Sequence, residues 1–310
     1  MSTEMIDPTL HTAEAETPAP AAVQRKRMSV FGLYYRRFMR NKPAVFGVFI
    51  FIALVLFSII GPLVARYDHI FLDFLNLGTP PSGEHWFGTT PAGNDLFAQV
   101  SIGLQRSLMI AVTVSVGTTA ISAIVGTAAA YFGGFVERTT LLIIHFLMVI
   151  PTFLILALVS NSAGGDWRVI SLALIFIGWF FQARVIWTMA LSLREREYVH
   201  AARYMGVRGM KIVLRHLLPN IGSLLVINFT LGVVAAVITE TGLSFIGFGV
   251  KIPDVSLGSL IGSGANTITS APWVFYFPAA ALTLLTVSMA LVADGLRDAL
   301  DPTSAAGGRA

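Results

Sequence analysis

Long uncharged apolar runs alternate with short polar, charged segments along the whole chain. Apolar runs occupy 44–65, 107–135, 141–161, a stretch opening near Val169, 220–239 and 272–293. Each offers about the 20 helical residues that cross a bilayer. The pattern therefore predicts an all-α polytopic membrane protein with six transmembrane helices. The second run is rich in Gly, Ala, Ser and Thr, and Gly117 and Gly126 allow close helix contact there. The third carries His145 and Pro151, the fourth becomes charged at Arg184, the fifth ends at Glu240, and Asp294 stops the sixth.

Composition supports a bilayer as the solvent. Hydrophobic residues make up 55% of the 310 and charged residues only 12%, with a mean hydropathy of +0.74. No soluble surface is that apolar. The sequence pI of about 9.6 is explained by basic residues beside the spans rather than by a nucleic-acid partner. Six spans put both ends on one side. Sixteen of the 21 lysines and arginines fall on the segments sharing that side, 1–42, 133–140, 194–218 and 295–310, against three on the opposite loops. Positive loops stay inside, which fixes an N-in, C-in topology. The chain has no cysteine, so disulfides, thiolate metal sites and a cysteine nucleophile are excluded.

The organisation follows. Residues 1–24, rich in Ala, Pro, Thr and Glu, read as a disordered cytoplasmic tail. Residues 25–43 mix arginines with Phe31, Tyr34 and Tyr35, which suits either an interfacial helix on the inner leaflet or a simple basic flank. The first span, 44–65, leads to an extracytoplasmic loop over 66–106. A transmembrane core spans 107–294 and includes a polar cytoplasmic loop at 194–218. Residues 295–310 form a cytoplasmic C-terminus. A second outer segment, 247–271, is rich in Gly, Ser and Pro; it either lines a substrate entrance or only connects helices.

Several chemistries are missing. No Gly-Lys dipeptide occurs, so the chain contains no phosphate-binding P-loop, and neither a His-Glu pair nor Gly-x-Ser-x-Gly is present. No metal-ligand set or catalytic residue is recognisable. Ionisable residues within spans mark ion-coupled carriers, and here they are few. His145 is either packed and hydrogen-bonded between helices or a proton relay. Arg184 is expected to snorkel to the inner interface. Glu240, at the outer end of the fifth run where water can reach it, is a gate or pathway candidate, and Ser244 and Phe245 one turn on join it.

The loop at 197–219 is the most telling segment. Glu197–Met205 is helix-prone, Gly206 and Gly209 break it, and 210–218 forms a second helix before Pro219 ends the run. Ala201 and Ala202 offer a small surface that another protein can approach, while Ile212, Val213, Leu217 and Leu218 make an apolar face for the bundle. Arg208, Lys211 and Arg215 stay solvated or pair. From the residues alone this is either a partner surface or an amphipathic connector.

The Ala-Ala pair, the Gly four residues after it and the closing Leu-Pro resemble the "EAA" loop of bacterial ABC-importer permeases. Four further stretches resemble the C-type subunit of dipeptide/oligopeptide systems. They are Asn41-Lys-Pro-Ala-Val-Phe-Gly47, Phe87-Gly-Thr-Thr-Pro-Ala-Gly93-Asn-Asp95, Glu240-Thr-Gly-Leu-Ser-Phe-Ile-Gly-Phe-Gly249 and Asp294-Gly-Leu-Arg-Asp298-Ala-Leu-Asp-Pro302. The resemblance implies the type I importer permease fold in the bacterial inner membrane. It implies a second permease subunit, two cytosolic ATPase subunits that bind ATP and Mg, and an extracytoplasmic solute-binding protein. Peptide cargo would pass by alternating access; relatives of this type also carry nickel, haem and other small solutes. A secondary transporter or a membrane-bound enzyme is the competing class. The resemblance assigns coupling to the ATPase to Glu197, His200, Ala201, Ala202, Gly206, Leu218 and Pro219.

Departures from the family pattern stand out. His200 occupies the place of the usual Glu, and Glu197, one turn earlier, is its expected substitute. Asn94 replaces a common Arg, and Leu257 sits where a Trp is frequent. At the C-terminus Asp294, Arg297 and Asp298 fit either an (i, i+3) ion pair or a coupling role.

Overall fold

The computed structural model describes residues 30–300, and its long elements are all helices. Helix α1 (Val30–Arg40) leads into α2 (Lys42–Val64). Asn41 makes the corner, its Oδ1 accepting from the Ala44 amide at 3.1 Å, with Pro43 in the first turn where a missing N–H costs nothing. Helix α3 (Leu96–Phe132) has 37 residues, a length of about 55 Å against a hydrocarbon core of about 30 Å. It therefore projects beyond the membrane.

Helices α4 (Gly134–Val149) and α5 (Thr152–Ser162) meet at a bend of 76° and are long and apolar enough for a span only when taken together. Pro151 lacks an amide proton, and the residue before a proline avoids the helical region. Ile150 accordingly sits at ψ 131°. Helix α6 (Trp167–Arg194) returns to the cytoplasmic side. Helix α7 (Glu197–Tyr204) and a run comprising α8 (Gly209–Ile212), a π turn (Val213–Leu217) and α9 (Leu218–Asn220) build the next loop. Helix α10 (Gly222–Phe245), short α11 (Leu257–Ala265) and α12 (Trp273–Leu300) complete the bundle. Among the described residues five helices are long and apolar enough to span a membrane by themselves, or six with the bent pair taken as one span.

Helix α3 is the axis of the bundle, packing against α6 on one side and α10 on another, while α2 pairs with α12. Small residues make these approaches possible. A Cβ added at Gly126 would lie 2.5 Å from the Ala183 carbonyl oxygen, so only glycine fits where α3 crosses α6. The main core gathers Leu104, Ile110, Leu174, Val237, Leu257 and Leu285.

Several boundaries move. The extracytoplasmic loop expected over 66–106 ends at 95, because α3 opens 11 residues before the predicted start at 107. Asp95 Oδ1 accepts from the Ala98 amide at 2.9 Å and caps that start. Helix α10 runs past Glu240 to Phe245, and α12 runs six residues past Asp294. A charge ends the apolar run, but hydrogen bonding continues the helix into water. Asp294 and Arg297 do not pair with each other; Asp298 Oδ2 accepts from Asn41 Nδ2 at 3.0 Å, joining the head of α2 to the end of α12. The expected tail at 1–24 and the positions 25–29 and 301–310 lie outside the described residues.

Candidate functional site

The cytoplasmic loop has a buried edge and an exposed edge. Val199 and Ala202 of α7 pack with Ile212, Val213 and Leu217, with Tyr131 and Leu218 laid against them. Ala202 is 1% exposed and belongs to this small core, which corrects its expected place on the partner-facing surface; Ala201 is exposed. Helix period explains the split, since adjacent residues point about 100° apart. Gly206 adopts φ +74°, a left-handed conformation natural to the residue that closes a helix. The Gly206 amide donates to the Arg203 carbonyl at 3.0 Å and the Val207 amide to Ala202 at 3.1 Å. The chain then reverses into α8, where Gly209 sits beneath the rings of Tyr131 and Phe132.

Pro219 does not end the second helix as expected. It stands in the first turn of α9, exposed, and helix resumes at Gly222 after a one-residue break at Ile221. The preceding π turn, in which the Leu218 amide reaches the Val213 carbonyl, widens the backbone just before the residue that cannot donate. The loop is thus nearly continuous with α10.

His200 is half-buried, with its Nε2 3.6 Å from Glu195 Oε2. Glu195 rather than Glu197 faces the histidine. Arg194 Nε donates to Glu195 at 2.8 Å, and a second Arg194 nitrogen donates to the Ala130 carbonyl, also at 2.8 Å. The Arg194 hydrogen bond and charge, followed by His200, hold the Glu195 carboxyl below the usual carboxylate range. Sequence reading missed Glu195, and its only signal was adjacency to Arg194 at the end of a span. Beyond these contacts the exposed edge presents Glu197, Arg203, Tyr204, Met205, Arg208, Lys211 and Arg215, an apolar tip in a mainly cationic field.

The outer end contains a cavity of about 750 Å³ between residues 90–94, the end of α10, the segment 247–255 and α11. Ser244 and Phe245 line it. Glu240 does not: it is 1% exposed and enclosed by protein, contrary to its expected contact with water. The loop at 66–95 is built rather than loose. His85, 2% exposed, has Nδ1 2.8 Å from Asp95 Oδ2 and Nε2 3.5 Å from Asp73 Oδ2. A carboxylate only accepts, so Nδ1 is the donor in the shorter contact. The imidazole stacks on Tyr67 with centroids 4.9 Å apart, and Trp273 Nε1 donates to the Thr89 carbonyl at 2.9 Å, tying the loop to α12. Asn94, the departure from the family pattern, donates to the Phe71 carbonyl at 3.2 Å and closes the loop on itself. Leu257 is fully buried, and its amide donates to Ser107 Oγ of α3 at 3.1 Å.

His145 is exposed on α4 rather than packed within this chain. Arg184 is exposed, and its guanidinium reaches the Met148 sulfur at 4.0 Å.

Residues 120–305 match the family model described as the inner membrane component of binding-protein-dependent transport systems. Residues 27–81 match that of the N-terminal transmembrane domain of oligopeptide transport permease C. The chain is 44% identical over 274 residues to the oligopeptide transport system permease protein OppC of Mycobacterium tuberculosis, covering 88% of this chain and 94% of that one. It is 32% identical to OppC of Bacillus subtilis, covering 90% and 92%. To the dipeptide transport system permease protein DppC of the same organism it is 33% identical, covering 91% and 88%.

Proposed function

The chain belongs to the family of binding-protein-dependent inner-membrane transport components, and on that premise we propose how its two polar regions divide the work of moving peptides. It is a multi-pass permease subunit of a peptide importer. Its relatives' cargo favours peptides over the nickel and haem alternatives.

The observation that carries the division of labour is the asymmetric cytoplasmic loop. One edge is anchored to the bundle through Val199, Ala202, Ile212, Val213 and Leu217, while the other is exposed and charged. A helix held on one side and bare on the other is ready to be gripped. In this reading α7, with Glu197, His200 and Ala201 outward and Gly206 as its hinge, docks on one of two cytosolic ATPase subunits. Ala202, Leu218 and Pro219 act from behind it, as support. ATP and its magnesium belong to those partners. Their closure pulls the loop, and the near-continuity with α10 carries the pull toward the outer cavity. A second permease subunit completes the pathway, and an extracytoplasmic binding protein delivers peptide over Ser244 and Phe245.

The test is reconstitution with and without the ATPases. The chain alone should bind no nucleotide, whereas the complex should hydrolyse ATP faster when loaded binding protein is added. A cysteine at Ala201, unique in a chain that has none, should crosslink to an ATPase subunit. Crosslinking only to lipid or to the second permease would refute the docking.

A further inference from the structure

Glu240 lies in α10 with its side chain walled off from both solvent and the cavity. One carboxyl oxygen carries all its hydrogen bonds. Ser244 Oγ, one turn on, donates to Glu240 Oε1 at 2.6 Å. Ser256 Oγ, at the head of α11, donates to the same atom at 2.6 Å. The other oxygen, Oε2, has no partner among the described residues.

Ser256 is fixed from its other side as well. Its hydroxyl accepts from the Ser259 amide at 3.1 Å, and Ser259 Oγ accepts from the Ser256 amide at 2.9 Å, a reciprocal cap on α11. The two helices also meet at Gly258, where an added Cβ would lie 2.7 Å from Thr241 Cα and 3.2 Å from Glu240 Oε2. Against these, α3 holds the head of α11 by one amide-to-hydroxyl bond, Leu257 to Ser107, at 3.1 Å. The Ser256–Glu240 bond, at 2.6 Å, is the shorter of the two links. By hydrogen bonding α11 is therefore tied more firmly to α10 than to α3, and it also packs on α12 at Gly264, where an added Cβ would lie 2.7 Å from the Val274 carbonyl oxygen.

We propose that Glu240 is a positioning residue that latches α11 to α10, so that movement of α10 also moves the wall of the outer cavity. The inference rests on the alternating-access reading above. Helix α10 begins one residue after the cytoplasmic loop, at Gly222, and ends at the cavity, at Phe245. A rigid helix transmits a displacement along its axis, and packing at Gly258 lets α11 slide on α10 unless a directional bond fixes the two together. Glu240 is a bridge placed there, and burial makes it costly to leave either hydroxyl unbonded.

The test uses the complete reconstituted complex and radiolabelled tri-alanine. Spin labels go on cysteines introduced at Leu75, in the 66–95 loop, and at Ile252, in the cavity wall, which are 93% and 88% exposed. Glu240→Leu should raise the ATP consumed per peptide imported about tenfold, and the label distance should stop responding to ATP. Glu240→Gln keeps an oxygen for both hydroxyls and should stay within about twofold of the unmodified complex. If Glu240→Leu keeps a normal ratio and a normal distance change, the latch is wrong. It is also wrong if Glu240→Gln fails as badly as Glu240→Leu. Should Glu240→Leu not assemble, Ser256→Gly decides, because it removes the hydroxyl that α11 donates to the carboxyl while glycine still serves at a helix N-cap. Uncoupling is expected, and an unchanged ratio would overturn the proposal. Failure of the importer reading itself is distinct: the unmodified complex would then import no tri-alanine.

Discussion

The two polar ends of this molecule use their side chains in opposite ways. At the outer end His85, Asp95, Asp73, Thr89 and Asn94 bond to one another and to backbone, and the loop at 66–95 closes on itself. At the inner end Arg203, Arg208, Lys211 and Arg215 stand exposed around Tyr204 and Met205. Buried polar groups must be satisfied within the chain, whereas exposed ones remain available to another surface. Outer polarity thus builds a fixed rim for the cavity. Inner polarity is left exposed.

The largest expected effect contrasts two adjacent alanines. Ala202→Glu forces a carboxylate into the loop core and should cost roughly 3 kcal/mol, so that α7 detaches and the ATPases are lost. Ala201→Glu leaves the loop folded and weakens only the docking. Limited proteolysis of the loop, with co-purification of the ATPases, separates the two. Equal proteolysis would mean that the loop has no buried edge.

Gly206→Val comes next. No atom lies within 4 Å of an added Cβ, so backbone strain at φ +74° acts alone. A penalty of about 1–2 kcal/mol is expected, with reduced peptide-stimulated hydrolysis and normal membrane insertion. Gly206→Asn, which tolerates this conformation, should recover most of the loss. Unchanged uptake in Gly206→Val would make the glycine a passive connector.

The outer end should respond to acid instead. Hydrogen bonds from Asn76 Nδ2 and the Leu75 amide, with His85 nearby, hold the Asp73 carboxyl below the usual carboxylate range. A depressed folded value stabilises above the unfolded pKa and loses that contribution as pH falls through the folded one. The 66–95 loop should therefore loosen only in acid below about pH 4, seen as faster exchange of its amides. Asp73→Asn should flatten that dependence. An acid response confined to the inner loop would reverse the comparison.

The smallest effects belong to the His200–Glu195 pair at the start of the cytoplasmic loop. His200→Glu places a second carboxylate beside Glu195, yet both positions keep much of their surface in water, so hydrolysis should change by less than about twofold. Glu195→Ala should matter more than Glu197→Ala, because Glu195 also receives Arg194. Stimulated ATPase rates for the three variants decide this. Loss of coupling in Glu197→Ala alone would restore Glu197 as the substitute for the missing acid.

The spans were legible because the bilayer imposes a length and a composition that any window of residues reveals. The inward side is assigned from lysine and arginine placement, a property of the chain itself. Gly126 and Gly206 could also be read from sequence, since few other residues permit a close crossing or a left-handed turn. The start of α3 was readable too, from Asp95 standing before an apolar run as a capping residue, but hydropathy set it 11 residues late. What tertiary structure alone decided is where polar atoms find partners. Asp95 meeting His85, Glu195 meeting His200, and Glu240 meeting Ser256 are pairings between segments, and hydrogen bonds need angstrom-scale geometry that spacing does not carry. Glu240 looked like a charge at a water-facing helix end because a sequence has no depth. The return of α11 over α10 buried it.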